Sequence, residues 1–223
     1  MSQPTLYVGN KKYSSWSLRP WLALKWAGIA FEERVIALGG DGYGTQQIPD
    51  VLAVSASGRV PVLHVDGVAI HDSLAICEWA NERAPQAFLW PADPLVRAEA
   101  RSAAAEMHAG FAALRRDLSM NIRRRMERMP DLPDDTHRDL ERLFALWRTL
   151  LTRFEGPFLF GDRTIADAMF APVVTRLRTY AVSSPPDAQA YCAAVLKDSA
   201  YQEWERAALS ETWTISTAEA LYR

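Results

Sequence analysis

Residues 85–94 contain three prolines, Pro85, Pro91 and Pro94, and the hydrophobic pattern differs in kind on either side of them. Proline fixes φ and has no N–H to donate, so the segment resists regular structure and reads as a linker. Before it, short strand-like apolar runs alternate with short helical patterns and turn residues. After it, apolar residues recur at intervals of three and four over long stretches. A chain with this change of pattern is expected to build two units. Residues 1–85 form a mixed α/β unit, and residues 94–223 an all-helical one.

Within the first unit, residues 6–8 read as a strand and residues 17–27 as a helix stopped by Gly28. Residues 31–38 read as a second strand, followed by a glycine-rich loop, residues 39–44, and a weak helix over residues 46–54. Residues 60–65 and 68–71 are expected to pair as a hairpin across Asp66–Gly67. A last helix covers residues 72–83 and ends at Pro85. A parallel pair needs a right-handed crossover, which the first helix supplies, and the hairpin adds an antiparallel strand. The resulting order, β-α-β-(α)-β-β-α, is that of a thioredoxin-like domain. In the second unit, Met107, Phe111, Leu114, Leu118 and Ile122 mark one long helix over residues 95–126. The stripe from Leu140 through Trp147 to Phe154 marks another over residues 136–154. Thr164 and Asp167 have the spacing of a capping box ahead of a helix that contains Pro172. Shorter helices are expected at residues 188–196 and 199–209.

The bulk chemistry excludes several classes. The chain is 49% hydrophobic and 23% charged with a net charge of −2, which fits a globular protein rather than a disordered one. It also argues against a nucleic-acid partner, which would require a basic surface. The one basic cluster, Arg123, Arg124, Arg125 and Arg128, reads as a solvated helix face. No apolar run approaches the length of a membrane span and no leader pattern is visible, so the expectation is a cytoplasmic protein with no membrane partner. Cys77 and Cys192 are isolated and outside any CxxC pattern, and Cys77 reads as a buried small hydrophobe. The histidines, at 64, 71, 108 and 137, lack metal-ligand spacing, so no metal is expected.

Three segments carry potential chemistry. Ser14, Ser15 and Ser17 cluster where the first strand meets the first helix. One is expected to cap the helix, which leaves spare hydroxyls at an N-terminus whose dipole and free amides favour an anion such as a thiolate. Val60–Pro61 opens the third strand. An ordinary trans proline would be tolerated there, whereas a cis bond of the thioredoxin-like kind would turn the Val60 N–H and C=O toward an extended peptide ligand. Asp72 and Ser73 open the third helix. They read either as a cap with a first-turn hydroxyl, or as a grip on the carboxylate and ammonium of an amino acid.

In order and spacing these segments resemble the glutathione S-transferases over nearly the whole chain. SSWSLRPW is similar to the SSCSWRVR-type motif of the zeta class, and RVPVL to its (Q/K)VP-(T/V)L segment. DSLAI and GDRTIADA match the two remaining motifs. The resemblance implies the glutathione S-transferase fold, glutathione as co-substrate, a small electrophile as the second substrate, a detoxifying role and a homodimer. Ser14 takes the position whose hydroxyl bonds the glutathione sulfur, with Ser15 its competitor. Val60, beside a cis Pro61, pairs with the cysteinyl part. Asp72 and Ser73 bind the γ-glutamyl end, and Arg59 reaches the glycyl carboxylate. Trp16 flanks the sulfur where the zeta class has a cysteine. Its bulk narrows the electrophile pocket and counts against the zeta reaction, maleylacetoacetate isomerisation. Met107, His108 and Phe111 are expected to wall that pocket. A glutathione-dependent isomerase, lyase or peroxidase, or a non-catalytic interaction module, stand as alternatives. A thiol–disulfide reductase would need a cysteine near position 14, and none is there.

Overall fold

The structure, a computed structural model, describes residues 2–40 and 42–222. Four strands form one sheet in the order β2-β1-β3-β4, comprising β1 (Thr5–Gly9), β2 (Glu32–Ile36), β3 (Val62–Val65) and β4 (Val68–His71). β1 and β2 run parallel, in register from Thr5 opposite Glu32 to Gly9 opposite Ile36. The crossover between them is α1 (Ser15–Trp26). β3 lies antiparallel to β1 and to β4. The β3–β4 turn places Asp66 and Gly67 at φ of 47° and 83°. Both central residues of a two-residue hairpin of this twist need positive φ, and an Asp-Gly pair supplies it. A short helix α2 (Pro49–Leu52) precedes β3, and α3 (Ser73–Arg83) follows β4.

The second half is helical: α4 (Pro94–Ala109), α5 (Ala112–Asp117), α6 (Asp134–Arg153), α7 (Ile165–Thr179), α8 (Pro186–Lys197), α9 (Ser199–Ser210) and α10 (Ser216–Ala220). The architecture is thus a thioredoxin-like layer joined to a helical bundle. One contiguous apolar core runs through both, from Leu6, Leu18 and Ile76 to Trp147, Phe170 and Trp204. α1 lies at its centre, packed on α3 on one side and α7 on the other. That burial explains why α1 is apolar nearly all round. The N-terminal end of α7 is fixed by the expected box. Asp167 accepts from the Thr164 N–H at 2.8 Å and hydroxyl at 3.1 Å, and from the Leu159 N–H at 3.1 Å. Burial pushes its carboxyl up to about 6.

Three expectations are corrected. The single helix over residues 95–126 is broken at Gly110, and Phe111 follows in the left-handed region at φ 52°. Glycine is a poor helix former, and the apolar spacing survives the break because Phe111, Leu114, Leu118 and Ile122 all still reach the core. Arg123, Arg124 and Arg125 are not on a helix face. Arg123 donates to the carbonyls of Leu209 and Glu211, and Arg124 to those of Glu219 and Leu221. Arg123 and Arg124 hold the C-terminal segment, while Arg123, Arg125 and Arg128 remain solvent-exposed as expected. Finally, Ser14 occupies the N-cap position of α1 but makes no capping hydrogen bond.

That C-terminal segment folds back over the start of the chain. Glu211 accepts from the N–H groups of Lys11 and Lys12 at 2.7 and 3.0 Å, and Lys12 Nζ donates to the Trp213 carbonyl at 2.8 Å. Tyr13 donates its hydroxyl to Glu219 at 2.5 Å. None of the described helices is long and apolar enough to cross a membrane.

Candidate active site

A cleft of about 1050 Å³ opens between the sheet layer and the helical bundle. The three sequence segments meet in it, since Ser14, Ser15, Trp16, Arg59, Val60, Pro61, Asp72 and Ser73 all line its walls. β1 ends at Gly9 and the chain turns back at Asn10, whose carbonyl accepts from the Ser14 N–H at 2.8 Å. That turn delivers Ser14 and Ser15 to the N-terminal end of α1. Ser14 Oγ donates to Ser17 Oγ at 2.7 Å, and Ser17 Oγ also accepts from the Gly9 N–H at 3.1 Å. Ser17 is therefore a positioning residue for Ser14. Its spacing of three residues within the serine cluster was the available signal. The Ser15 hydroxyl has no hydrogen-bond partner among the described residues.

Also lining the cleft, the Val60–Pro61 bond is cis. Val60 precedes β3, and its N–H and C=O have no backbone partner among the described residues. Gly58 makes the approach to it possible. It sits at φ 65°, and a Cβ there would lie 2.4 Å from the Gln46 carbonyl oxygen. Arg59 beside it is exposed at the rim.

Asp72 is held at φ 81°, a conformation uncommon for a non-glycine residue and concentrated at ligand sites. Its Oδ1 caps α3 by accepting from the Leu74 N–H at 2.8 Å. Its Oδ2 lies 3.1 Å from His108 Nε2, which reaches across from α4. Ser73 is 2% exposed, and its Oγ has no hydrogen-bond partner. A buried hydroxyl without a partner costs stability, and a ligand carboxylate at the N-terminal end of α3 would satisfy it.

Of the three expected wall residues, only His108 lines the cleft. Met107 and Phe111 are buried in the helical core, where Phe111 packs edge-on against Phe170. Both sit on the face of their segment that points into the bundle. The helical wall is instead supplied by Arg115, Arg176, Ser119 and Met120, and Ile215 and Ala218 of the C-terminal segment close one side. Trp16 stands against this wall. Its ring meets His108 edge-on at 5.4 Å, with the guanidinium carbons of Arg19 and Arg115 at 4.3 and 5.3 Å. Among the described residues no group of three or more His, Cys, Asp or Glu side chains could hold a metal ion. Cys77 is fully buried, and burial pushes its thiol well up, away from reactivity.

Comparison with known proteins agrees with this geometry. Residues 13–83 match the family described as glutathione S-transferase, N-terminal domain. The rat protein maleylacetoacetate isomerase is 29% identical over 185 residues, 82% of each chain. The protein of that name from Pseudomonas aeruginosa is 42% identical over 101 residues, which span 45% of this chain and 46% of its own. A Burkholderia glutathione transferase homolog, solved with bound glutathione, superposes with a TM-score of 0.71 at 27% identity. It covers 94% of this chain and all of its own. The chain has the glutathione S-transferase fold, and residues 13–83 are that family's N-terminal domain. Within that fold the serines, Val60–Pro61 and Asp72–Ser73 lie on the thioredoxin-like side of the cleft. The arginines that sequence reasoning passed over lie on the helical side. No local pattern links Arg115 to Arg176, because the two meet only where Arg176 Nη1 reaches the Arg115 carbonyl across the fold.

Proposed function

We propose that the chain binds glutathione in the cleft and transfers its thiolate to a small electrophile. The observation that carries the reading is the convergence of unsatisfied polar groups on one wall. Among the described residues the Ser15 hydroxyl, the buried Ser73 hydroxyl and the N–H and C=O of Val60 have no partner, and all three residues line the same cleft. A γ-glutamyl-cysteinyl-glycine peptide offers complementary groups. Its cysteinyl amide pairs with Val60, its α-carboxylate with Ser73 and its ammonium with Asp72. Arg59 reaches its glycyl carboxylate, and its sulfur lies at Ser14 and Ser15. On this reading residues 1–85 hold glutathione, and residues 94–223 supply the electrophile side.

The chemistry then needs no general base. A hydroxyl hydrogen bond and the N-terminal end of α1 stabilise the thiolate relative to the thiol, so the proton is lost to solvent near neutral pH. The sulfur lone pair forms a C–S bond to the electrophilic carbon, and the leaving group departs with its electron pair. Titration calorimetry with glutathione tests the binding step, and a screen with an aryl chloride, a hydroperoxide and a cis-enone tests the reaction. Absence of heat with glutathione would move the assignment to a non-catalytic module. A second reading, glutathione-dependent isomerisation, has specific support from the relatives named maleylacetoacetate isomerase. Turnover of the cis-enone without net consumption of glutathione would favour it. Trp16 beside the sulfur weighs for transfer. A cytoplasmic detoxifying role and a homodimer complete the proposal, and sedimentation of the purified protein checks the latter.

A further inference from the structure

One polar side chain of the helical half serves the glutathione side of the cleft rather than the electrophile side. His108 stands in the last turn of α4, just before the helix stops at Gly110. Its Nε2 lies 3.1 Å from Asp72 Oδ2, and both residues line the cleft. An ionised carboxylate can only accept a hydrogen bond, so this nitrogen carries the hydrogen. The other ring nitrogen, Nδ1, is buried without a partner. Neither nitrogen is therefore open to an electrophile: one is taken by Asp72 and the other is closed off from the cleft.

The histidine is held in place by its neighbours. Arg115 donates to the His108 carbonyl at 3.0 Å, and the Trp16 ring meets the imidazole edge-on at 5.4 Å. Trp16 in turn lies against the guanidiniums of Arg19 and Arg115. Arg19 is buried with Nε and Nη1 unpartnered, and among the described residues no carboxylate forms an ion pair with either arginine.

Asp72 needs such support. Its side chain is 47% exposed. An ion pair at that exposure contributes little when the carboxylate is free to turn, because water screens the charge and holding the geometry costs entropy. The cap to the Leu74 N–H fixes Oδ1, about which the carboxylate can still pivot. The His108 contact fixes Oδ2, and with it the plane of the group. Each oxygen keeps a lone pair for a ligand.

We propose that His108 is a positioning residue for Asp72. It orients the carboxylate so that its free lone pairs meet the α-ammonium of the γ-glutamyl end, which makes recognition of that ammonium depend on the helical half of the chain. This role rests on the glutathione reading of the cleft. It takes His108 away from the electrophile and assigns it to the co-substrate.

The probes are glutathione and N-glutaryl-cysteinylglycine, which is glutathione without its α-ammonium. Both are titrated calorimetrically into the intact protein, into His108→Leu, His108→Gln and Asp72→Asn, and into the double variant of His108→Leu with Asp72→Asn. Wild type is expected to prefer glutathione by about tenfold or more, the scale of one charged hydrogen bond. His108→Leu is expected to cut that preference at least about fivefold, the scale of coupling between residues in contact, with affinity for the glutaryl peptide unchanged. Retained binding of that peptide also reports that the variant is folded. His108→Gln, whose amide can donate to Asp72, is expected to restore most of the preference. In the Asp72→Asn background, His108→Leu is expected to change it no further. With an aryl chloride, His108→Leu should raise KM for glutathione and leave kcat as it was, a split that general loosening of the site would not give. Equal affinity of wild type for the two peptides, an unchanged preference in His108→Leu, or equal weakening of both peptides would overturn the proposal. So would a lower kcat at unchanged KM, since His108 would then act on the reaction itself. If neither peptide gives heat with wild type, the glutathione reading falls and the role of His108 falls with it.

Discussion

Replacing Ser14 by alanine removes one hydroxyl from the point where the sulfur of bound glutathione is expected to rest. Ser14 is 7% exposed and poorly screened; its hydroxyl donates to Ser17 Oγ at 2.7 Å, so on binding its proton turns to the sulfur and Ser17 donates to Ser14 in its place. A hydrogen bond to a charged group is worth about 1.5–3 kcal/mol. At about 1.4 kcal/mol per unit, that lowers the thiol pKa by roughly one to two units. The N-terminal end of α1 contributes about 0.3–1 kcal/mol more, less than one further unit. From a free thiol near 8.5, the bound thiol of the wild type should therefore titrate at roughly 6 to 7. Ser14→Ala leaves only the helix end and should return it to about 8.

Near pH 6.5 the thiolate fraction then falls by about tenfold or more, and kcat/KM for an aryl chloride falls with it. At high pH the deficit shrinks, because both proteins are then fully ionised. The ultraviolet absorbance of the thiolate in the binary complex, followed against pH, reads the titration directly. An unchanged titration in Ser14→Ala would refute the assignment. If Ser15→Ala shifts it instead, the sulfur rests on the hydroxyl that has no partner in the protein. If neither does, the helix end alone stabilises the thiolate.

Ser73→Ala should leave the melting temperature almost unchanged, because Ser73 Oγ makes no hydrogen bond within the protein, yet weaken glutathione binding by about tenfold in calorimetry. Asp167→Ala should do the reverse. It orphans two buried N–H groups and the Thr164 hydroxyl, costing about 2–4 kcal/mol and lowering the melting temperature by roughly 5–15 °C in calorimetric scans, with little change in glutathione affinity. Burial would raise the Glu219 carboxyl, but hydrogen bonds from Tyr13 and Asn121 and the charges of Arg124 and Lys12 outweigh it and hold it below its ordinary value. A depressed carboxyl stabilises the fold above its ordinary pKa, and that contribution is lost as pH falls through the folded value. Hydrogen exchange over residues 211–222 should accordingly accelerate on acidification, and Glu219→Gln should remove much of that pH dependence.

What could be read from the sequence was what local chemistry determines. Asp66–Gly67 specifies its own turn, Thr164–Asp167 its own cap, and the proline-rich segment the change of architecture. The thioredoxin-like wall of the cleft was legible for the same reason. Ser14, Val60 and Ser73 each sit at the start of an element, where backbone groups are left unpaired and a short motif records the fact. The helical wall was not legible, because it is made by packing. Periodicity placed Met107 and Phe111 on an apolar face but did not say whether that face looked into the bundle or into the cleft. Met107 is buried on the bundle side of α4 itself, and Phe111 follows the break at Gly110 into the core. Arg176 was hidden within a helix whose neighbours are all buried, and its meaning depends on Arg115, sixty-one positions away.

Trp16 changes meaning once these arginines are in view. Beside a sulfur, an indole in place of a cysteine reads as an obstruction that narrows the pocket. Its ring also lies against the guanidiniums of Arg19 and Arg115, and cation–π contacts of this kind contribute about 0.5–2 kcal/mol each. An indole gives a buried cation some compensation without neutralising it, which a carboxylate at the same place would do. A small cysteine would leave Arg19 without that cover and open to water. The indole at position 16 and the unpaired arginines are thus parts of one arrangement: the first makes it tolerable for the second to remain without a carboxylate partner.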